Sequence, residues 1–351
     1  MSSDFQFPAY KKRSIRRFCK IIATGSYVPE RIVTNQEIID ANKLSVTDAV
    51  IRKSIGVEER RAVAAGVTDS DVLVEAAKRC LERAGLQPDD VSKMLVNKFL
   101  GDNILPMTAA QVQKKLGSQL AFHAVDIEGG INAFLTSLDL ATRYISTTGD
   151  AAQNILILSG GAPSVAVGKT DPRVAFLFGD GAGAVLLAPS TEAHFLASYL
   201  YTNYQYYDVA TSRKLKMDST LSDKIYEEQQ YSLLYNLYQM DNWKEVADFY
   251  VQAARTTSDF LLAESGLSMT DIDLVLVTEN NRKIRDLTLE ALGVPEEKSL
   301  SVFREYGNTM SAMLPILLDK AFREQRVQEG QTIMLISHGE GASGGGIIYK
   351  V

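Results

Sequence analysis

Two stretches of the chain are written in the same grammar. Residues 69–101 read as an amphipathic helix followed by AGLQPDDVSKMLVN, and residues 248–279 as an amphipathic helix followed by SGLSMTDIDLVLVTE. Each runs through a helix, a Gly-Leu stop, a short acidic turn and a buried strand. The copies lie about 180 residues apart, which implies an internal duplication with each half about one domain. The 351 residues suit one large α/β unit or two fused halves better than one small core. A boundary near Pro189–Ala193 divides the chain into halves 18–190 and 191–351, with residues 1–17 as a flexible N-terminal arm.

The periodicity between these landmarks predicts an α/β architecture with central sheets. Short, apolar, β-branched runs mark strands at Lys20–Thr24, Met94–Val96, Ala121–Ile127, Asn154–Leu158, Ala175–Leu187, Leu274–Thr278, Thr332–Ile336 and Gly346–Val351. Their near-continuous apolar character means that both sheet faces are covered. Helical patterns fill Ser70–Ala84, Thr108–Leu116, Asn132–Ser146, Trp243–Glu264 and Met310–Glu324, the first opening on TDSD as a capping candidate. Residues 199–243 differ in composition, with YLYTNYQYY and YEEQQYSLLYNLYQ. This Tyr-rich insertion reads either as an amphipathic segment packed on the second half or as the lid of a substrate tunnel.

Several function classes are disfavoured. Lys and Arg total 37 against 43 Asp and Glu, a net charge of −6 that argues against nucleic acid as the main partner. Two cysteines, Cys19 and Cys80, make no disulfide framework and fit a reducing compartment, the cytoplasm. The histidines His123, His194 and His338 lack metal-ligand spacing, so no metal site is expected. No apolar run reaches 18 residues, and residues 1–17 are basic without the apolar stretch of a secretory signal.

Glycines punctuate two apolar runs. FLFGDGAGAVLL (176–187) matches no phosphate loop, and its glycines read as points of close backbone approach. SHGEGASGGGIIYKV, from Ser337, reads as strand, Gly-rich turn and final strand. Such a turn can aim backbone N–H groups at a developing oxyanion. Together with IIATGSYVPERIVTNQEI (21–38), IGVEERR (55–61), LPMTAAQVQKKLG (105–117) and YGNTMSAMLPILLDKA (306–321), these segments resemble, in order and spacing, the β-ketoacyl-acyl carrier protein synthase III family. The resemblance covers nearly the whole chain from about residue 18. It implies the thiolase-like five-layer αβαβα fold with two pseudo-repeated halves, usually as a dimer. It also implies acyl transfer in fatty-acid or polyketide-type metabolism, with acyl carrier protein or acyl-CoA as partner and no cofactor. In the family, a cysteine at a helix N-terminus takes the acyl group, and a histidine and an asparagine bind the thioester carbonyl of the malonyl unit.

This chain departs from that pattern where the chemistry sits. Laying the family turn D-V-x-x-x-C-x-G-F on Asp126–Phe134 puts Ile131 at the cysteine, and an aliphatic side chain cannot attack a thioester. The segment D-W-L-V-P-H-Q-A-N falls on Asp273–Asn281, with Thr278 at the histidine and Glu279 beside it, while the asparagine is retained as Asn308. Val50 stands where the family has a tryptophan that stacks on the adenine of coenzyme A, the chain's only tryptophan being Trp243. In the C-terminal turn, next to Gly339, Glu340 takes the place of the glycine near the oxyanion, where a carboxylate would oppose developing charge. Leu105 matches the loop that in family dimers reaches into the partner's active site. Arg282, Lys283 and Arg285 read either as a basic patch that docks an acidic carrier protein or as a solvated helix start.

Two functions fit these departures, beside a binding or scaffold role without any ketosynthase partner. One is a catalytically degenerate subunit that pairs with a complete paralogue. The other is an acyltransferase, hydrolase or decarboxylase acting on thioesters without a cysteine acyl-enzyme, with acid–base groups drawn from His123, Asp126, Glu128, Thr278, Glu279 and Asn308. Glu128, beside Gly129-Gly130, is the most suggestive of these. Its bland role is a carboxylate favouring a helix N-terminus by about 0.3–1 kcal/mol.

Overall fold

The structure, a computed structural model, describes residues 17–147, 153–166, 168, 172–203, 243–339 and 343–351. Among these residues the elements run β1 (Cys19–Tyr27), β2 (Ile32–Thr34), α1 (Asn35–Asn42), α2 (Asp48–Ser54), β3 (Glu59–Arg61), α3 (Asp69–Ala84), β4 (Lys93–Lys98), α4 (Thr108–Leu116), β5 (His123–Asp126), α5 (Ala133–Thr147), β6 (Ile155–Gly161), α6 (Pro172–Ala175), β7 (Gly181–Pro189) and β8 (Phe195–Thr202). They continue with α7 (Trp243–Ser265), β9 (Leu274–Val277), α8 (Arg282–Leu292), α9 (Phe303–Tyr306), α10 (Met313–Arg323), β10 (Thr332–Gly339) and β11 (Ser343–Lys350).

Two sheets carry the repeat. The first has the order β1-β7-β6-β4-β5 and the second β8-β11-β10-β9. In both, an antiparallel pair leads to a third antiparallel strand, which then pairs in parallel with the next: β6 with β4, and β10 with β9. Helix α3 covers β1, β7 and β6 on one side, while α5 and α10 lie between the sheets, and α7 with α8 closes the far face of the second. The result is five layers, helix–sheet–helix–sheet–helix.

Strand alternation explains the continuous apolar runs. In β6, Ile155 and Ile157 join the central cluster, and Leu156 and Leu158 join the outer cluster under Val72 and Leu73 of α3. In β10, Ile333 and Leu335 face the central layer while Met334 and Ile336 face α7. A strand with two greasy faces has nowhere polar to point. The central cluster draws on both sheets, with Leu95, Ile157 and Val185 on one side and Leu276, Leu335 and Ile347 on the other.

Three local expectations are corrected. The strand expected over Ala175–Leu187 starts only at Gly181, after the short helix α6 and a bend. The bend has its own partners: the Gly179 N–H donates to Asn308 O at 3.2 Å, and Asp180 accepts from Val63 N at 2.8 Å and Ser164 N at 2.7 Å. Gly179 is required there, since a Cβ would lie 2.0 Å from Tyr306 O. The Tyr-rich insertion does not begin at 199. Tyr199 and Tyr201 are inward-facing residues of β8, paired with β11 and buried against α7. Trp243 already belongs to α7, and the remainder of that insertion, 204–242, lies outside the described residues. Finally, Arg17, the last residue of the expected arm, is 3% exposed and bridges to Asp139 at 2.7 Å. The rest of that arm lies outside the described residues.

Candidate functional site

β5 ends at Asp126, and the chain turns through Gly129 and Gly130 into a single 3-10 turn, Gly130–Asn132, that feeds α5. Gly130 has φ +55°, a left-handed value that glycine adopts without strain. Ile131 is 1% exposed. A Cβ on Gly339 would lie 1.9 Å from Ile131 Cγ2, so the isoleucine is pressed against the bare backbone at the end of β10. The next residue, Asn132, donates from Nδ2 to Ser343 Oγ at 2.8 Å, tying the turn to β11. The turn is therefore sealed by an aliphatic plug and presents no nucleophilic atom at 131. Neither thiol replaces it, because Cys19 and Cys80 are fully buried and burial pushes each up to about 12.

Two of the carboxylates expected as alternative acid–base groups, Asp126 and Glu128, are engaged elsewhere. Asp126 accepts from Thr108 N at 3.0 Å and Ala109 N at 2.7 Å, holding the N-terminus of α4. Glu128 is an exposed side chain in an ion pair with Lys98 at 2.9 Å. His123 lies exposed at the start of β5, 2.9 Å from Lys93 Nζ. Glu279 is 1% exposed; burial raises its carboxyl to about 7, against the pull of Arg285 at 3.6 Å. Glu340 and the two residues after it lie outside the described residues.

Thr278 sits just past β9. Its N–H donates to Ile336 O at 3.1 Å, and its hydroxyl accepts from His338 N at 3.2 Å. Asn308 is fully buried, with Oδ1 accepting from Met310 N at 2.7 Å and Nδ2 donating to Asn280 Oδ1 at 2.7 Å. Asn280 in turn donates to Tyr250 Oη at 3.3 Å. Asn308 thus has its orientation set by a neighbour that sequence reading passed over. Tyr250, Val277, Thr278, Asn280, Ile284, Thr288, Ile336 and His338 line a cleft with about 10 Å³ of free space.

His338 is the other residue missed. It continues the face of Met334 and Ile336, so the alternation of β10 could have placed it. Its Nδ1 lies 3.1 Å from Tyr201 Oη, and burial drives the imidazole down to about 3, leaving it neutral.

The basic patch shrinks on inspection. Arg285 is 3% exposed, with Nη1 bonded to both oxygens of Glu296 at 3.0 and 2.9 Å, because the helical repeat turns it inward. Arg282 remains at the surface, where Gly56 (φ +99°) lets α8 start against residues 54–56. Lys283 is exposed beside it. Val50 is 52% exposed on α2, and Leu105 is 83% exposed with Ile104 beside it at 87%.

Residues 125–203 match the family model described as 3-oxoacyl-[acyl-carrier-protein (ACP)] synthase III, and residues 262–351 match that of its C-terminal part. The β-ketoacyl-[acyl-carrier-protein] synthase III of Coxiella burnetii (strain Dugway 5J108-111) is 30% identical over 335 residues, 95% of this chain and 99% of that protein. The chain belongs to the synthase III family. The enzyme of the same name from Listeria innocua serovar 6a is 31% identical over 330 residues, covering 94% of this chain and 98% of that one. The crystal structure of the Aquifex aeolicus synthase III superposes with a TM-score of 0.83 at 26% identity, covering 95% of this chain and 100% of that one. The five layers are thus the thiolase-like α/β fold of the synthase III family, as the sequence motifs implied.

Proposed function

We propose that this synthase III-like chain has lost the cysteine acyl-enzyme step and serves as the degenerate half of a ketosynthase heterodimer in fatty-acid or polyketide-type acyl metabolism. The observation that carries this reading is Ile131, buried at the helix-start position and packed on Gly339. A thioester cannot be taken up by an alkyl group, and the buried thiols are not thiolates at neutral pH. The stretch Leu100–Met107 supports pairing, since Leu100, Ile104, Leu105 and Met107 are all exposed on one connection, an arrangement that a lone soluble chain avoids. Arg282 and Lys283 stand in the first turn of α8, where cations oppose the helix dipole. That cost is offset if they dock an acidic carrier protein. The partner is a catalytically complete paralogue, and the two buried free thiols favour a cytoplasmic setting.

The intact mass of the chain after incubation with acyl-CoA and acyl-carrier thioesters tests the first half of this reading. Co-purification with a complete synthase III paralogue tests the second. An unchanged mass and a stable complex are expected. A stoichiometric acyl adduct on this chain, or thioester turnover by the chain alone, overturns it. The second reading, an enzyme without a cysteine acyl-enzyme, is favoured by one feature only: the polar cleft around Thr278, Asn280 and His338.

A further inference from the structure

The imidazole of His338 carries the strongest unexplained observation. The residue is 6% exposed, and its Nε2 is buried with no hydrogen-bond partner among the described residues. A buried nitrogen in that state carries the full cost of its lost hydration, and most buried polar atoms avoid it. The ring is held from several sides. Tyr201 Oη meets Nδ1 at 3.1 Å, and the Tyr201 and Tyr250 rings lie with centroids 6.3 and 6.1 Å away. Gly344 leaves the room: a Cβ there would fall 2.5 Å from Nδ1. An imidazole seated this firmly, with one nitrogen unused on the wall of a cleft, has the form of a prepared binding group.

The cleft states what would fit. Its free space of about 10 Å³ suits one oxygen-sized group. Its polar lining is uncharged (Thr278, Asn280, Thr288, Tyr250 and a neutral His338), and its other walls are Val277, Ile284 and Ile336. Among the described residues no cation lines it, so a carboxylate would be left without a counter-charge from them. Burial pushes the Tyr201 phenol up, so it stays protonated and can donate to Nδ1. Donation from Tyr201 to Nδ1 places the ring proton on Nε2.

We infer that His338 Nε2–H is the donor that binds the carbonyl oxygen of an acyl group in this cleft, with Tyr201 fixing the tautomer. The inference rests on the proposed function, a synthase III-like chain that meets acyl thioesters without taking up the acyl group covalently. It makes His338 a substrate-binding residue and Tyr201 a positioning residue, and it requires no bond to form or break.

The test uses uncleavable pairs of coenzyme A thioethers that differ only at the carbonyl: 2-oxoalkyl-CoA and alkyl-CoA, from three to twelve carbons, measured by calorimetry on the full chain. Wild type should bind the 2-oxoalkyl member of at least one pair tenfold or more tighter. His338→Phe, which keeps an aromatic ring, should remove that preference. Tyr201→Phe should weaken it. The ¹⁵N spectrum of wild type should show a protonated Nε2 whose shift moves only with the oxo compounds, a readout that does not depend on the variants folding. Equal affinities in every pair, absence of binding, or a preference that survives His338→Phe overturns the inference. A chain that pairs with a paralogue yet shows no carbonyl preference defeats this inference alone. One that shows the preference but turns thioesters over unaided defeats the partner-subunit reading instead.

Discussion

Ile131→Cys puts the sulfur back at the pivot and separates two kinds of loss. Cysteine keeps Cβ and one γ atom, and deletes Cγ2 and Cδ1 from a side chain that is 1% exposed. Two buried carbons at about 0.8 kcal/mol each, plus a modest cavity term, amount to about 2 kcal/mol. The cavity opens directly on Gly339, because Cγ2 is the atom packed against it. Urea unfolding should show this loss with an unchanged slope. The new thiol sits at the start of α5, where the helix dipole favours thiolate. The native variant should therefore show one fast-reacting thiol in a disulfide-exchange titration, where the parent shows none because Cys19 and Cys80 are buried. Acyl transfer to that thiol, seen as a single mass adduct, is expected; condensation with malonyl-carrier protein is not, because Thr278 has no imidazole to offer. The double variant Ile131→Cys/Thr278→His is the one expected to gain it. Condensation by the single variant, acting without a partner chain, would refute the assignment of the missing role to position 278. Failure of the thiol to react at all would refute the expectation that removing Cγ2 and Cδ1 opens this buried position to a reagent.

Other outcomes follow from named contacts. Gly339→Ala should destabilise by about 1–3 kcal/mol through overpacking. That cost should shrink in an Ile131→Ala background, because the colliding methyl is gone; a double-mutant cycle by chemical denaturation measures the coupling. Glu279 titrates at about 7 in the fold, above its ordinary value, so the folded state holds its proton more tightly than the unfolded chain. Stability should fall as pH rises from about 4.5 to 7 and level off above that, by at most about 3 kcal/mol. Glu279→Gln should flatten the slope in that window, read from unfolding curves at several pH values. Leu105→Asp, at a side chain 83% exposed, should leave the stability of the chain within about 0.5 kcal/mol. The same variant should weaken complex formation with the paralogue, measured by sedimentation.

The sequence by itself determined the architecture. The two copies of helix, Gly-Leu stop and buried strand become α3–β4 and α7–β9, and those strands pair in parallel with β6 and β10, at equivalent places in the two sheets. Local signals sufficed because they are written in neighbouring residues: glycine at a helix end, alternation along a strand, an aspartate three residues after Thr68. The aliphatic residue at 131 was also legible, since it needs only the residue type.

Tertiary structure alone decided which polar groups remain available. Asp126 and Glu128 are neighbours in the chain and both carboxylates, yet one holds the α4 N-terminus and the other pairs with Lys98. Arg285 looked like its neighbours Arg282 and Lys283 until the helical repeat turned it toward Glu296. His338 and Thr278 are 60 residues apart and meet because β9 and β10 are parallel neighbours. Hydrogen bonds and burial act through space, so the protonation state and the free valences of a side chain depend on strands that the sequence holds far apart.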